Sequence, residues 1–287
     1  MSELPTYENP PAHLAALRQR LTNATGLEEG LIIRRLRAMA NVVLAQMLPT
    51  SAVKGGTSIN LRLGPDLSRF SIDLDATRPR TTTEEQFLNQ LRANLVAGWS
   101  GFTGTVLMRN SPAPKNIPVQ YLMVPIDVKL SYRARNFMTV RLELAMDELG
   151  SVDDSVEIID GSLVELFTRI GLEAPSPVAV ISREHQAVQK LHACTTPDQE
   201  GRHERAHDLV DLQLLCRDED VDLAELRRLG VRLFDLRKGT PWPPTVQIHE
   251  GWDGLYTEAS EGLDVLPLPA AVEWANDLVK RAELEGS

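Results

Sequence analysis

Apolar residues recur every three or four positions in several stretches of the chain, which is the spacing of a helix with one buried face. In residues 28–48 the apolar positions include Leu36, Met39 and Val43, and Pro49 ends the stretch. Thr83 and Glu84 have the character of a helix cap and first turn, and predict a helix that runs to about Ala97. The same period predicts further helices over 11–24, 161–171, 183–195, 202–217, 222–236 and 268–284.

Alternation of apolar and polar residues predicts strands in the first half of the chain. Residues 70–75 alternate, and so do 122–132 and 137–146, which we expect to pair as antiparallel neighbours. A short strand at Ala52-Val53 leads into two glycines and a helical turn that Gly64-Pro65 ends. We therefore expect an α+β fold, with a sheet-based N-terminal lobe over 1–155 and a mainly helical C-terminal lobe over 156–287.

The composition is typical of a globular protein and excludes several other classes. Hydrophobic residues make up 43% and charged residues 24% of the 287 residues, which excludes wholesale disorder. No apolar run is long enough to span a membrane, and the polar N-terminus does not resemble a secretory signal. Two cysteines, Cys194 and Cys216, provide neither a disulfide framework nor a Cys-x-x-Cys zinc site. These features predict a cytoplasmic protein without a membrane partner.

The distribution of charge is more informative than its total of −10, which by itself disfavours a nucleic-acid partner. Residues 1–145 contain 17 basic and 11 acidic residues, a net of +6, whereas residues 146–287 contain 13 and 29, a net of −16. This asymmetry predicts a basic groove beside any site in the first half, backed by an acidic body.

Two glycines and two aspartates in the first half form the most specific chemical pattern. Gly55-Gly56-Thr57 stands where a strand becomes a helix, so its backbone can approach a polyphosphate at the positive end of the helix dipole. The Thr57 hydroxyl can donate to a phosphate oxygen. Asp73 and Asp75 lie two apart on a predicted strand, so both carboxylates face one side and can hold Mg²⁺. The pattern indicates two-metal transfer chemistry on a nucleotide.

These residues resemble the DNA polymerase β-like nucleotidyltransferase superfamily. The start Lys54-Gly55-Gly56-Thr57-Ser58 and the finish Arg69-x-Ser71-x-Asp73-x-Asp75 are similar to the AbiEii branch, the toxins of AbiE and MenT-type toxin–antitoxin systems. The resemblance implies a polymerase β-like core, an NTP substrate and two Mg²⁺ ions. It also implies NMP transfer to an RNA acceptor, the tRNA 3′ end, and a cognate antitoxin partner.

The resemblance also assigns individual roles. Lys54, the run from Gly55 to Ser58 and Arg69 would bind the nucleotide. A third metal-binding carboxylate is expected on a later strand, where Glu143 matches and Asp127 is the open alternative. Eight basic residues near the site in sequence are candidates for phosphate contacts: Arg62, Arg69, Arg78, Arg80, Lys129, Arg133, Arg135 and Arg141.

The resemblance continues in the C-terminal half and covers residues 50–215 in all. The segment 184–193 is similar to a family helix with a Lys-Leu-x-Ala core, and 205–212 resembles its Arg-x-x-Asp-Leu-x-Asp-Leu helix. It implies that Lys190 contacts the nucleotide triphosphate and that Asp208 lies beside it. The residues themselves leave a second hypothesis open, because a Lys on a buried helix face needs a carboxylate partner and Asp208 is one candidate.

Two other functions remain open from the sequence. Residues 203–207 read His-Glu-Arg-Ala-His, the pattern of a zinc hydrolase helix, for which Glu225 is a conceivable third ligand. A binding module that keeps the fold without catalysis is the other alternative. The intact pair of Asp73 and Asp75 argues against that module.

Overall fold

A computed structural model describes residues 5–26, 28–109, 123–198, 201–217, 221–237 and 240–285. The chain divides between Val180 and Ile181 into two compact units. The composition places the boundary earlier, after residue 155. The structure assigns residues 156–180 to the first unit because they supply one helix and two strands of its sheet.

The first unit combines five described helices with a seven-stranded sheet. The helices are α1 (Leu14–Thr25), α2 (Glu29–Ala45), α3 (Gly55–Leu63), α4 (Glu84–Ala97) and α5 (Gly161–Arg169). The strands are β1 (Ala52–Lys54), β2 (Asp73–Arg78), β3 (Phe102–Met108), β4 (Val124–Tyr132), β5 (Arg135–Met146), β6 (Val156–Ile158) and β7 (Val178–Val180).

The sheet is mixed, and its strand order is β3-β4-β5-β2-β1-β7-β6. β2 runs parallel to β5 and antiparallel to β1, while β1 runs parallel to β7. β3, β4 and β5 form an antiparallel meander at one edge, and β6 pairs antiparallel with β7 at the other. The expected β4–β5 pair is confirmed, and Arg133 and Ala134 turn between them with positive φ, although Leu122 lies outside the described residues.

Alternation along the central strands separates the sheet into an apolar face and a polar face. Leu74 and Ala76 on β2, and Leu142 and Leu144 on β5, are buried in one hydrophobic core with apolar residues of α2 and α4. The intervening residues of both strands, among them Asp73, therefore point to the opposite side of the sheet.

β2 begins at Asp73, whereas the alternating pattern predicts a strand from Phe70 to Asp75. Partner strands explain the difference, because β5 pairs with residues 73–78 and β1 with residues 75–77. Phe70 and Ile72 precede this ladder and are exposed. The two aspartates thus stand at the start of the strand rather than at its end.

The second unit is helical, as expected for the C-terminal part of the chain. Its described helices are α6 (Arg183–Thr195), α7 (Ala206–Cys216), α8 (Leu223–Arg237), α9 (Trp252–Ser260) and α10 (Leu268–Glu285). α6 packs against α7 and α8, and α7 packs against α9 and α10. None of the helices in the described ranges has the length and apolar character needed to cross a bilayer.

Candidate active site

Three carboxylates predicted from the sequence share the polar face of the central sheet. Asp75 on β2 lies directly opposite Glu143 on β5 and Lys54 on β1, and Asp73 lies opposite Arg141. Directly paired residues of neighbouring strands project to the same face. The parallel pairing of β2 and β5 therefore places Asp73, Asp75 and Glu143 side by side, although nearly 70 residues separate them in the chain.

The electrostatics of Glu143 reflect this crowding. Burial raises the pKa of Glu143, and the neighbouring Asp75 and Asp73 carboxylates raise it further, against the opposing effect of Arg109 and Lys54. Negative charge on this face is thus only partly neutralised by the protein. A cation that binds there would relieve the repulsion.

Asp127, the alternative third carboxylate, lies one strand further from Asp75. It is on β4, opposite Arg141, whereas Glu143 is opposite Asp75 itself. Arg109 lies between the two candidates, with Nε 3.7 Å from Asp127 Oδ1 and Nη2 3.7 Å from Glu143 Oε1. The register therefore brings Glu143 closer to the aspartate pair, and Arg109 is a neighbour that the sequence did not single out.

The carboxylate oxygens of this site are the type of ligand that a hard divalent cation binds. Asp73 Oδ1 is buried and accepts no hydrogen bond from a described residue, so a ligand at this atom would satisfy it. Carboxylate oxygens are the ligands that Mg²⁺ prefers. As the side chains stand, no three His, Cys, Asp or Glu residues within the described ranges converge tightly enough to hold a metal ion.

Gly55 allows the chain to turn from β1 into α3 against the Asp75 carboxylate. Its φ is +66°, and a Cβ at this position would lie 2.0 Å from Asp75 Oδ2. Any other residue would therefore need both a strained backbone and a displaced aspartate. The first of the two glycines sets the distance between the start of α3 and the site.

The hydroxyls of Thr57 and Ser58 point into the protein rather than toward a ligand. Both residues are buried, and Thr57 Oγ1 donates to the Asp73 carbonyl at 2.8 Å and accepts from Asn41 Nδ2 at 3.2 Å. Ser58 Oγ donates to the Gly55 carbonyl at 2.9 Å. The expected donation from the Thr57 hydroxyl to a phosphate is therefore replaced by a bond that ties α3 to β2.

Arg69 lies beside the second glycine. A Cβ at Gly56 would lie 2.9 Å from Ser71 Oγ and 3.4 Å from Arg69 Nη2, so the absence of a side chain keeps these groups close to α3. Arg69 also lines a cavity of about 40 Å³ together with Arg34 and Asn41. Lys54, the two glycines and Arg69 are thus gathered around the first turn of α3.

Lys190 and Asp208 form a buried ion cluster in the second unit. Lys190 Nζ donates to Asp208 Oδ1 and to Asp211 Oδ2, both at 2.6 Å, and Arg205 Nε donates to Asp208 Oδ2 at 2.6 Å. Both aspartate side chains are fully buried. Asp211 is part of the Asp-Leu-x-Asp pattern, yet we did not assign it a role from the sequence; its i+3 spacing from Asp208 was the available signal.

The ionisation of Asp208 is held by its neighbours. Burial alone would raise the pKa of Asp208, but the charges of Lys190, Arg205 and His207 and the hydrogen bond from Lys190 bring it well below its usual range. The cluster is therefore a charged network inside the helical unit, as the hypothesis of a carboxylate partner for Lys190 expects. The role of Lys190 as a nucleotide contact stays a prediction.

The zinc hydrolase hypothesis requires two histidines on one helix face, and the structure does not provide them. α7 begins at Ala206, so His203 and Glu204 precede the helix. The His203 ring instead stacks on His249, with ring centroids 3.6 Å apart. The expected helix over 202–217 starts four residues late because Arg205 is its N-cap. His203 and His207 are therefore not one helical turn apart.

The family model described as the nucleotidyl transferase AbiEii toxin of a type IV toxin–antitoxin system matches residues 35–278. This match covers more than half of the chain and extends beyond 50–215 on both sides. It confirms the family predicted from the Lys-Gly-Gly-Thr and Asp-x-Asp motifs. No curated protein is similar enough in sequence to match.

Solved structures provide a second comparison. MenT4, a nucleotidyltransferase toxin from Mycobacterium tuberculosis, superposes with a TM-score of 0.53 and 16% identity, over 94% of this chain and 98% of that one. JHP933 from Helicobacter pylori superposes with a TM-score of 0.48 and 16% identity, over 91% of this chain and 94% of that one. The first likeness confirms the predicted nucleotidyltransferase fold.

Proposed function

We propose, from the premise that this chain belongs to the AbiEii family of nucleotidyltransferase toxins, that it transfers an NMP from an NTP to the 3′ hydroxyl of a tRNA and so blocks translation. In this reaction the acceptor oxygen forms a bond to the α-phosphorus. The bond between that phosphorus and the β-phosphate bridging oxygen breaks, and pyrophosphate leaves. The hydroxyl proton passes to solvent.

The observation that carries the proposal is the group of Asp73, Asp75 and Glu143 on one sheet face, beside the first turn of α3. Carboxylates and helix N–H groups bind a phosphate in different ways. Carboxylates bind it through cations that lie between them and the substrate, whereas helix N–H groups donate hydrogen bonds to its oxygens directly. Their proximity through Gly55 suits a nucleotide bound with divalent cations.

Asp73, Asp75 and Glu143 would hold two Mg²⁺ ions, which when bound neutralise phosphate charge and lower the pKa of the acceptor hydroxyl. Thr57 positions Asp73 through its carbonyl, and Gly55 positions Asp75. The backbone of residues 55–58 would bind phosphate oxygens, with Lys54 and Arg69 as flanking cations.

We also propose that Lys190 and Asp208 face the bound triphosphate, as the family motifs imply. In this structure the Lys190 ammonium is bonded to Asp208 and Asp211. A phosphate at Lys190 would have to compete with one of these carboxylates. A toxin of this family also implies an antitoxin partner that limits its activity.

A transfer assay tests the proposal directly. The purified protein is incubated with total tRNA, Mg²⁺ and each of the four α-labelled NTPs in turn. We expect label in tRNA with at least one NTP, and none when EDTA replaces Mg²⁺. If no NTP labels any RNA, the proposed reaction is wrong and the binding-module alternative replaces it.

Glu143→Gln and Asp127→Asn form a matched pair that identifies the third carboxylate. Each change removes one negative charge beside Arg109. We expect Glu143→Gln to lower the transfer rate at least about 100-fold, because a metal ligand is lost. Asp127→Asn should change it less than about fivefold. The reverse order of effects would assign the role to Asp127.

A further inference from the structure

The polar face of the sheet continues from the carboxylates across β3, β4 and β5. Its exposed positions include Thr105 on β3, Lys129 on β4, and Thr139 and Arg141 on β5. Residues that alternate with them, such as Val128, are buried in the core. The carboxylate site is therefore one end of a larger open surface, which we call the β3–β5 face and define by these four exposed residues.

The register orders this face in rows. Arg141 lies opposite Asp73 on one side and Asp127 on the other, and Lys129 lies opposite Thr139 and Thr105 in the next row. Rows on one face are two residues apart, or about 6.8 Å along a strand. A chain that runs along the face thus meets the row of Thr105, Lys129 and Thr139 first, then the row in which Arg141 lies between Asp73 and Asp127, and then Asp75 and Glu143.

The side chains of Lys129 and Arg141 are exposed, and neither forms an ion pair or a hydrogen bond with a described residue. Arg37, half-buried nearby, donates to the Thr139 carbonyl at 2.7 Å. Burial lowers the pKa of Arg37 and the positive charge of Arg141 lowers it further, while Asp73 raises it. Positive charge is thus crowded immediately beyond Asp73.

Three of the other basic residues that the sequence grouped with these two have internal contacts instead. Arg78 Nη1 donates to the Thr82 carbonyl, and Arg80 Nε to the Asp147 carbonyl at 3.1 Å. Arg133 lies over the Tyr132 ring in the β4–β5 turn. The sequence alone could not separate them from Lys129 and Arg141, because strand register decides which side chains lie on the polar face of the sheet beside the carboxylates.

We propose that the β3–β5 face binds the sugar–phosphate backbone of the RNA acceptor and directs its 3′ end to the carboxylates. This inference rests on the proposed function for the identity of the acceptor. Lys129 and Arg141 contact phosphates, and the threonine hydroxyls bond to phosphate or ribose oxygens.

The chemistry of the face favours RNA backbone over other partners. Its defining residues carry cations and hydroxyls, and the other members of the Arg141 row on these strands are Leu107 and Asp127. None of these side chains has an aromatic ring, so they contact the backbone rather than stack on bases. The face also adjoins the carboxylate site in register, whereas a protein partner would have no need of that continuity. Binding here should therefore depend weakly on RNA sequence and strongly on salt.

Binding of fluorescein-labelled total tRNA, without NTP and in EDTA, tests the face independently of catalysis. The double variant Lys129→Gln/Arg141→Gln should bind about tenfold more weakly than the native chain. Its slope of log affinity against log salt should shrink by about 1.4 to 1.8, because two phosphate contacts are lost. The charge-preserving pair Lys129→Arg/Arg141→Lys should restore most of the affinity.

Arg18→Gln/Arg92→Gln is the matched control, because these exposed arginines lie on α1 and α4 and the charge change is identical. The control should bind tRNA as the native chain does. Equal binding by the test and control variants would overturn the proposal. So would competition by poly-L-glutamate as effective per charge as that by RNA, since it would indicate an acidic protein partner.

The transfer assay separates this inference from the proposed function. If Lys129→Gln/Arg141→Gln weakens tRNA binding while the native chain transfers no NMP, the face is supported and the reaction is wrong. If the native chain labels tRNA, and the variant binds tRNA and labels it as well as the native chain does, the reaction is supported and the face is overturned. If both proposals are right, the double variant shows a larger rise in the KM for tRNA than in the KM for NTP.

Discussion

The two units each contain a cluster of acidic residues, and the clusters differ in how their charge is balanced. In the first unit, Asp73, Asp75 and Glu143 lie on an open sheet face, and the pKa of Glu143 is raised by burial and by its acidic neighbours. In the second, Asp208 and Asp211 are buried around Lys190, and the pKa of Asp208 is lowered.

The difference teaches what each cluster is suited to do. The helical cluster has its counter-charges within the protein, so removing one member would leave a buried charge without compensation. In the sheet cluster the charges of Asp75 and Asp73 raise the pKa of Glu143 despite Arg109 and Lys54, so a bound cation would relieve this repulsion. A site for an external cation is expected where the protein leaves carboxylates under-neutralised, and a structural network where it does not.

Asp73→Asn should produce the largest effect and confine it to catalysis. We expect the transfer rate to fall at least about 1000-fold, or about 4 kcal/mol in the barrier, because a metal ligand is lost. The free energy of unfolding should change by less than about 1 kcal/mol. Labelled NMP transfer and urea unfolding measure the two. Asp153→Asn, an exposed aspartate outside the site, is the control; transfer within tenfold of native would contradict the assignment.

Lys190→Met, unlike Asp73→Asn, should lower the stability of the fold. It leaves two buried carboxylates without their shared cation, and we expect the free energy of unfolding to fall by about 3–5 kcal/mol. Urea unfolding measures the change. Lys280→Met, an exposed lysine on α10, should be nearly neutral. A loss below about 1 kcal/mol with transfer abolished would favour the nucleotide role of Lys190 over the structural one.

Gly55→Ala should disturb the sheet cluster through the backbone. The new Cβ would overlap Asp75 Oδ2 at an unfavourable positive φ, so we expect a loss of about 1–3 kcal/mol in stability and slower transfer. Gly254→Ala is the matched control, because its Cβ would have no neighbour within 4 Å and it lies inside α9. That control should be neutral or slightly stabilising. Native-like transfer by Gly55→Ala would show that Asp75 is not fixed by this glycine.

Acid should weaken the helical cluster by a smaller amount. The folded pKa of Asp208 is below its unfolded value, so its stabilisation is present above about pH 4 and is lost as pH falls toward the folded pKa. The stability difference between the native chain and Asp208→Asn should therefore shrink by about 1 kcal/mol between pH 4 and 3. Unfolding curves at each pH measure it, with exposed Asp277→Asn as the control. A constant difference would mean that Asp208 is not held ionised.

Elements with strong local signals were predictable from the sequence. α6 has the bounds that its periodicity predicts. α4 begins at Glu84 behind the N-cap Thr83, in a capping box in which Thr83 and Gln86 each accept a hydrogen bond from the other's backbone. The three-residue strands β6 and β7 are too short to show a period, and Gly104 interrupts the pattern of β3. These strands were missed for that reason.

The site was predictable in its residue types but not in its arrangement. The motifs identified Asp73 and Asp75, whereas the choice of Glu143 as their neighbour depends on the register of two distant strands. Charge shows the same limit. Residues 1–180 contain 18 basic and 19 acidic residues, so the first unit has a net charge of −1, and the second has −9. The basic half of the sequence is therefore not a structural unit, and only strand pairing localises its charge.

The parallel pairing of β2 with β5 also has a consequence for synthesis of the protein. Asp73 and Asp75 leave the ribosome long before Glu143, and β3 and β4 must be made in between. Non-local strand pairs form only after the intervening chain has been added. A nascent or truncated chain that ends before β5 carries both aspartates and no complete site. If Glu143 completes the site, as we propose, a cell that makes this toxin meets its activity only after most of the first unit has been translated.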